Sequence, residues 1–170
     1  MIVIHKFNII LILVIMLSFI TGCSSDNVNE KVENEAKKEP MSLEDQIKEM
    51  VIKNVGQRNK DKIKINFIED VIAGEGNKIV NIEAFDSVSK LQYLDYSRDV
   101  FQKAFKINGI SEVNITWVDE LVDVKGNTEE LPIMRILLRK DNAQDINWEN
   151  FDIYNFKIVA DQYWEHKSLE

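Results

Sequence analysis

The chain has 170 residues, 45% hydrophobic and 29% charged, a balance that supports one domain with a genuine apolar core but not two. Its formal net charge of −8 makes it a poor candidate for binding nucleic acid or anionic headgroups by charge, since both need a basic surface. A single cysteine excludes an intramolecular disulfide and a cysteine-based zinc site.

Met1 to Lys6 carries one fixed positive charge, Lys6, and Phe7 to Ile20 follows as an apolar run broken only by Asn8 and Ser18. As a helix that run extends about 21 Å, short of the ~30 Å hydrocarbon core of a bilayer. It therefore reads as a signal peptide rather than a permanent membrane span. Ile20-Thr21-Gly22-Cys23 closes it, with an aliphatic residue and two small ones ahead of the single cysteine. These four residues resemble the lipobox of bacterial lipoproteins. The resemblance covers residues 1–23. It implies that a diacylglycerol joins the Cys23 thiol through a thioether and that the peptide is cut between Gly22 and Cys23. Cys23 then serves as N-terminus and membrane anchor together, and two acyl chains hold stably where one is marginal. The implied location is the outer face of the bacterial cytoplasmic membrane. Ser24 to Pro40 (SSDNVNEKVENEAKKEP) has almost no apolar content and reads as a disordered tether, with a reach of roughly 20–25 Å. The chain thus divides into a signal peptide over 1–22, the lipidated cysteine and tether over 23–41, and a single domain over 42–170.

Within that domain, Ser42 is placed to cap a helix beginning near Leu43, where Ile47, Met50, Val51 and Val55 recur at helical spacing and Gly56 ends it. Arg58, Lys60, Lys62 and Lys64 read as a solvated turn into a strand. Ile63, Ile65 and Phe67 alternate with polar residues, which predicts a half-buried strand over Lys62 to Ile72. Gly74-Glu75-Gly76-Asn77 then turns the chain, and Ile79 to Phe85 returns as a second strand. Asp86 or Ser87 opens the longest helix, with Val88, Leu91, Leu94, Phe101 and Phe105 on its apolar face and Asn108-Gly109 as the stop. Val113, Ile115 and Trp117 mark a third strand, Lys125-Gly126-Asn127 a turn, and Leu131 to Arg139 a fourth strand. Pro132 fits only near the start of that strand, because it removes a ladder donor. A last helical piece is expected within Trp148 to Glu165, with Phe151, Phe156, Val159, Ala160, Tyr163 and Trp164 turned to the core. The order α-β-β-α-β-β-α predicts an α+β domain built on a four-stranded antiparallel sheet with helices on one face.

Chemistry-bearing patterns are few, and no catalytic, metal or cofactor site is expected. His166 is the only histidine after the signal segment, and no Gly-x-Ser-x-Gly elbow accompanies it. Zinc spacing is missing. Asp119, Glu120 and Asp123 lie near Gly126, but Leu121 stands where a calcium loop requires Asp or Asn. Gly74-x-Gly76 lacks the third glycine of a dinucleotide fingerprint. Asp95 and Asp99, one helical turn apart, read as a solvated pair rather than a glycosidase couple. The stretch from Asn147 to His166 is dense in aromatics, and Trp148, Tyr154 and Trp164 cannot share one narrow helical stripe. These three are the candidate partner-binding residues, since aromatics serve both cores and interfaces.

The resulting expectation is a lipid-anchored, non-enzymatic binding or accessory domain, held to the membrane through Cys23, with an envelope protein as partner and no nucleic acid. An exclusion or immunity lipoprotein is one specific form. The rivals are a carboxylate-dependent glycan hydrolase, which needs a pair of acids in a cleft, and a carrier of a small lipid or peptide, which needs a cavity between sheet and helices.

Overall fold

The computed structural model describes residues 41–55 and 59–170. The signal segment, Cys23, the tether and the expected helix stop at Gly56 lie outside the described residues, as does Arg58. Helix α1 runs Leu43–Val55, strand β1 Lys64–Glu69 and strand β2 Lys78–Phe85. Helix α2 (Lys90–Ala104) leads to β3 (Ile110–Val122) and β4 (Thr128–Arg139). Two short helices, α3 (Lys140–Gln144) and α4 (Phe156–Val159), precede a last strand, β5 (Gln162–Glu165).

The helices form where periodicity and capping agree. Ser42 Oγ accepts the Asp45 amide at 3.1 Å, and α1 buries Ile47, Val51 and Val55 on one stripe. Helix α2 starts later than expected: not at Asp86 or Ser87 but after Ser89, which forms a capping box with Gln92. Asp86 stays with the sheet, its amide bonded to the Val118 carbonyl at 3.2 Å. The buried stripe of α2 is Tyr93, Leu94, Ser97, Val100, Phe101 and Ala104, and Leu91 is turned out to solvent.

The domain is α+β, but its sheet has five strands in the order β1-β2-β3-β4-β5 and is mixed rather than antiparallel. The two hairpins, β1–β2 and β3–β4, are antiparallel as expected, and β2 and β3 pair parallel. Helix α2 is the reason: it carries the chain back along the sheet before β3 starts, and a strand entered after such a crossover runs in the same direction. Strand β5 adds antiparallel to β4, pairing Met134 with Glu165 through Leu137 with Gln162. This corrects the expected final helix. The helix lasts one turn, Ala160 becomes extended at φ −67° and ψ 144°, and the chain then pairs with β4. The open edge of β4 supplies backbone partners that a continued helix would leave unpaired. Pro132 falls beside the bulge of β4, outside the stretch that β5 covers, where its missing N–H costs nothing.

The core lies between the helices and one face of the sheet. Val80, Ile82 and Ala84 of β2, Val113, Ile115 and Trp117 of β3, and Met134, Ile136 and Leu138 of β4 are buried there. Phe156 reaches in from α4, its ring 5.5 Å from that of Phe101 and 4.9 Å from that of Phe151. Each such side chain contributes about 1.5–3 kcal/mol. Polar groups inside are bonded to one another: in a relay, Trp117 Nε1 donates to Ser97 Oγ at 2.9 Å and Ser97 Oγ donates to the Tyr93 carbonyl at 2.8 Å, while the buried Tyr93 hydroxyl donates to the Asp86 carbonyl at 2.5 Å. Among the described residues every buried side-chain polar atom has a partner.

Candidate functional site

Alternation along the strands puts the remaining residues on the opposite face of the sheet, and no described helix covers it. Strand register orders that face into rows. One row runs Asn66, Asn81, Asn114, Leu137, Gln162 from β1 to β5. The neighbouring row runs Lys64, Glu83, Thr116, Arg135, Trp164. Two amides of the first row are joined, Asn114 Nδ2 donating to Asn81 Oδ1 at 3.2 Å.

Across β3, β4 and β5 this face is hollowed into an open groove of about 680 Å³. Its lining includes Asn114, Thr116, Arg135, Gln162, Trp164 and His166, with Leu131, Pro132 and Leu137 supplying apolar floor. A smaller hollow of about 240 Å³ lies over β1 to β3 and shares Asn114 and Thr116 with the first. Trp164 is 45% exposed, and the Arg135 guanidinium carbon stands 5.8 Å from its ring centre. His166 packs edge-on to Trp164, ring centres 6.3 Å apart. Its Nδ1 accepts the Ser168 amide at 3.1 Å and lies 2.9 Å from Ser168 Oγ. A neutral imidazole held this way carries its proton on Nε2. The arrangement caps a turn, and no carboxylate joins it as a third member.

The charges on this face follow the register, with one exception. Lys64 pairs with Glu83 opposite it at 2.7 Å, and Arg139 pairs with Glu112 opposite it at 3.0 Å. The charge and hydrogen bond of Glu112 hold Arg139 above the usual guanidinium range. Arg135 instead has Thr116 and Trp164 beside it, and among the described residues it enters no ion pair. Among the described residues, the lining of the groove holds no Asp or Glu.

The three aromatic candidates separate. Trp164 stands in the groove. Trp148 is half-buried, its ring 5.6 Å from Phe151 and packed on the core. Tyr154 is 51% exposed, in the turn before α4 and outside the groove. Strand β5 itself is fastened on the core side. Lys90 Nζ lies 2.8 Å from Glu165 Oε2, and the Tyr163 hydroxyl donates to the same oxygen at 2.7 Å. Burial pushes the Glu165 carboxyl up, but the hydrogen bonds from Lys90 and Tyr163 outweigh it and hold the group below its ordinary value. Burial pushes the Tyr163 hydroxyl well above its own.

The acidic clusters are structural. Arg98 bridges Asp95 and Asp99, each at 2.8 Å. The Asp123 carboxylate accepts the amides of Lys125 and Asn127, both at 2.8 Å, and so builds the β3–β4 turn. Asp119 accepts the Tyr93 hydroxyl at 3.2 Å. Among the described residues no group of acids, histidines or cysteines is arranged to hold a metal, and no helix is long and apolar enough to cross a membrane.

Comparison of the chain with protein-family models, curated proteins and solved structures finds no match. The groove therefore stands on its own chemistry. Arg135, Gln162, Asn114 and Thr116 were not among the residues singled out from the sequence. The signal that marks them is the period-two placement of polar residues within otherwise apolar strands, as in Asn114 and Thr116 between Val113, Ile115 and Trp117.

Proposed function

We propose that the chain is a non-enzymatic binding domain, anchored through a lipidated Cys23 to the outer face of the cytoplasmic membrane. It presents the open sheet face to a ligand or partner in the cell envelope. The observation that carries the binding reading is Arg135: a guanidinium in a carboxylate-free groove, beside a half-exposed indole, on a face where the neighbouring cations are paired. Such a group is desolvated and neutralised by what it binds. A glycan hydrolase of the usual kind needs two carboxyl groups flanking its substrate, and the groove lining offers none. A lipid carrier needs an enclosed apolar cavity, whereas this groove is open to solvent and lies away from the helices. The lipobox-like Ile20-Thr21-Gly22-Cys23 and the polar stretch after it support the anchor.

The test is in two parts. In cells fed radiolabelled palmitate, the parent chain should carry label and sediment with membranes, and Cys23→Ala should do neither. A photo-crosslinking residue at position 164 should then capture one dominant envelope component, lost when Arg135 is changed to Gln. An unlabelled parent removes the anchor from this proposal. Crosslinks that ignore Arg135→Gln remove the groove.

A further inference from the structure

We infer that the groove takes a carboxylated polysaccharide, laid across the strands of the sheet. This rests on the binding-domain reading above and names the ligand class of that site. Three features of the groove converge on it.

The first is charge. Arg135 presents a planar fork suited to a carboxylate, with no acid in the groove lining to compete for it. The His166 Nε2–H, fixed by the Ser168 bond to Nδ1, adds a second donor to the same lining.

The second is the mixture of surfaces. The indole of Trp164 offers a flat apolar platform to the C–H face of a sugar ring. Around it stand carboxamides and a hydroxyl: Gln162, Asn114 and Thr116. Each of these both donates and accepts, as a sugar hydroxyl does. A lipid tail would leave these polar groups unpaired.

The third is spacing. Neighbouring strands lie about 4.8 Å apart, so a row that crosses them repeats at that interval. This is close to the repeat of a β-linked pyranose chain. An extended peptide presents its same-side residues at about 6.6–6.8 Å, out of step with the rows. A peptide added as a strand at the free edge of β5 would bypass the site, because the groove is built from side chains on the sheet's face. The row Asn66, Asn81, Asn114, Leu137 and Gln162 leads past the groove into the smaller hollow over β1 to β3, where Asn66 and Asn81 extend the carboxamides and the Glu83 carboxylate on the wall is neutralised by Lys64. A chain of several units therefore has a path from β5 to β1, about 19 Å at that spacing.

The full chain in detergent is titrated calorimetrically with β-1,4-linked oligomannuronate and with hyaluronan oligomers. The methyl ester of the oligomannuronate and poly-glutamate serve as comparators. At least one acidic glycan should bind, and its methyl ester should bind about tenfold or more weakly. Arg135→Gln should weaken binding by about tenfold to a hundredfold, and Trp164→Ala by about tenfold. Added salt should act in the same direction. Tyr154→Ala, exposed but outside the groove, should leave affinity unchanged, and circular dichroism should show every variant folded. Equal binding of ester and acid overturns the inference, as does poly-glutamate binding as tightly as the glycans. If neither glycan binds while the residue-164 crosslink still captures an Arg135-dependent protein, the glycan inference falls and the binding domain stands. If there is neither glycan nor crosslink, both fall.

Discussion

Replacing Ser97 by Ala removes one oxygen atom from the middle of the core and tests the buried relay directly. Ser97 is fully buried, and its Oγ is the partner of the Trp117 indole N–H, itself fully buried. The Tyr93 carbonyl that Ser97 also contacts keeps its place in the α2 ladder, so the damage concentrates on one donor. An orphaned buried donor costs about 1–3 kcal/mol, while Ala in a helix interior returns up to about 0.5 kcal/mol relative to Ser. The net expectation is a loss of about 1–2 kcal/mol, with little added from the vacated volume. Urea unfolding followed by far-ultraviolet circular dichroism should show the midpoint fall by about 1 M with an unchanged slope. Indole fluorescence should report a changed environment for Trp117 in the folded state. A variant within about 0.5 kcal/mol of the parent would refute the reasoning, because the indole N–H would then have found another partner in a core that offers none.

Phe156→Ala should cost about 3–5 kcal/mol by emptying the contact with Phe101 and Phe151, whereas Tyr154→Ala should stay within about 0.5 kcal/mol; thermal melts separate the two. Gly109 sits at φ +84°, and a Cβ there would come within 3.1 Å of the Gly76 carbonyl oxygen, so Gly109→Ala should lose about 1–2 kcal/mol in the same assay. Folding lowers the Glu165 carboxyl, so its contribution is fully present above the ordinary value of 4.5 and is lost as pH falls through the lowered one. Glu165→Gln should therefore reduce stability at neutral pH and flatten the acid limb of a melt-against-pH profile; an unaltered limb would show that Lys90 and Tyr163 do not hold this group.

The sequence made the hairpins legible because each strand has one buried face, so apolar and polar residues alternate, as in Val113 to Trp117. It made α1 legible because the Ser42 cap and the apolar stripe agree. It misled at β5. Phe156, Val159, Ala160, Tyr163 and Trp164 fall at three- and four-residue intervals, which is helical spacing. The strand that forms instead, Gln162–Glu165, carries one aromatic and one polar residue on each face, so it shows no alternation. What decides its structure is the unpaired edge of β4, which is remote in sequence. The parallel pairing of β2 with β3 was hidden for a similar reason: each hairpin is a local event, but their mutual direction depends on how α2 crosses the sheet. The groove was invisible because its residues come from three strands. Only register reveals that, among the described residues, Arg135 alone of the cations on its face stands opposite no acid.

The attachment of β5 has a consequence for how occupancy of the groove is felt elsewhere. The strand is joined to the sheet by four paired positions and lies at an edge, the kind of element that opens locally while the rest of a domain stays folded. Gln162 and Trp164 stand on it, and His166 follows directly, its amide bonded to the Ile133 carbonyl at 2.7 Å. Occupancy and strand docking are therefore one linked equilibrium: a ligand at a hundred times its dissociation constant would hold β5 in place by about 2.7 kcal/mol. Amide exchange over Gln162–Glu165 then becomes a gauge of ligand, slowing with occupancy while the amides of β2 and β3 keep their own pace.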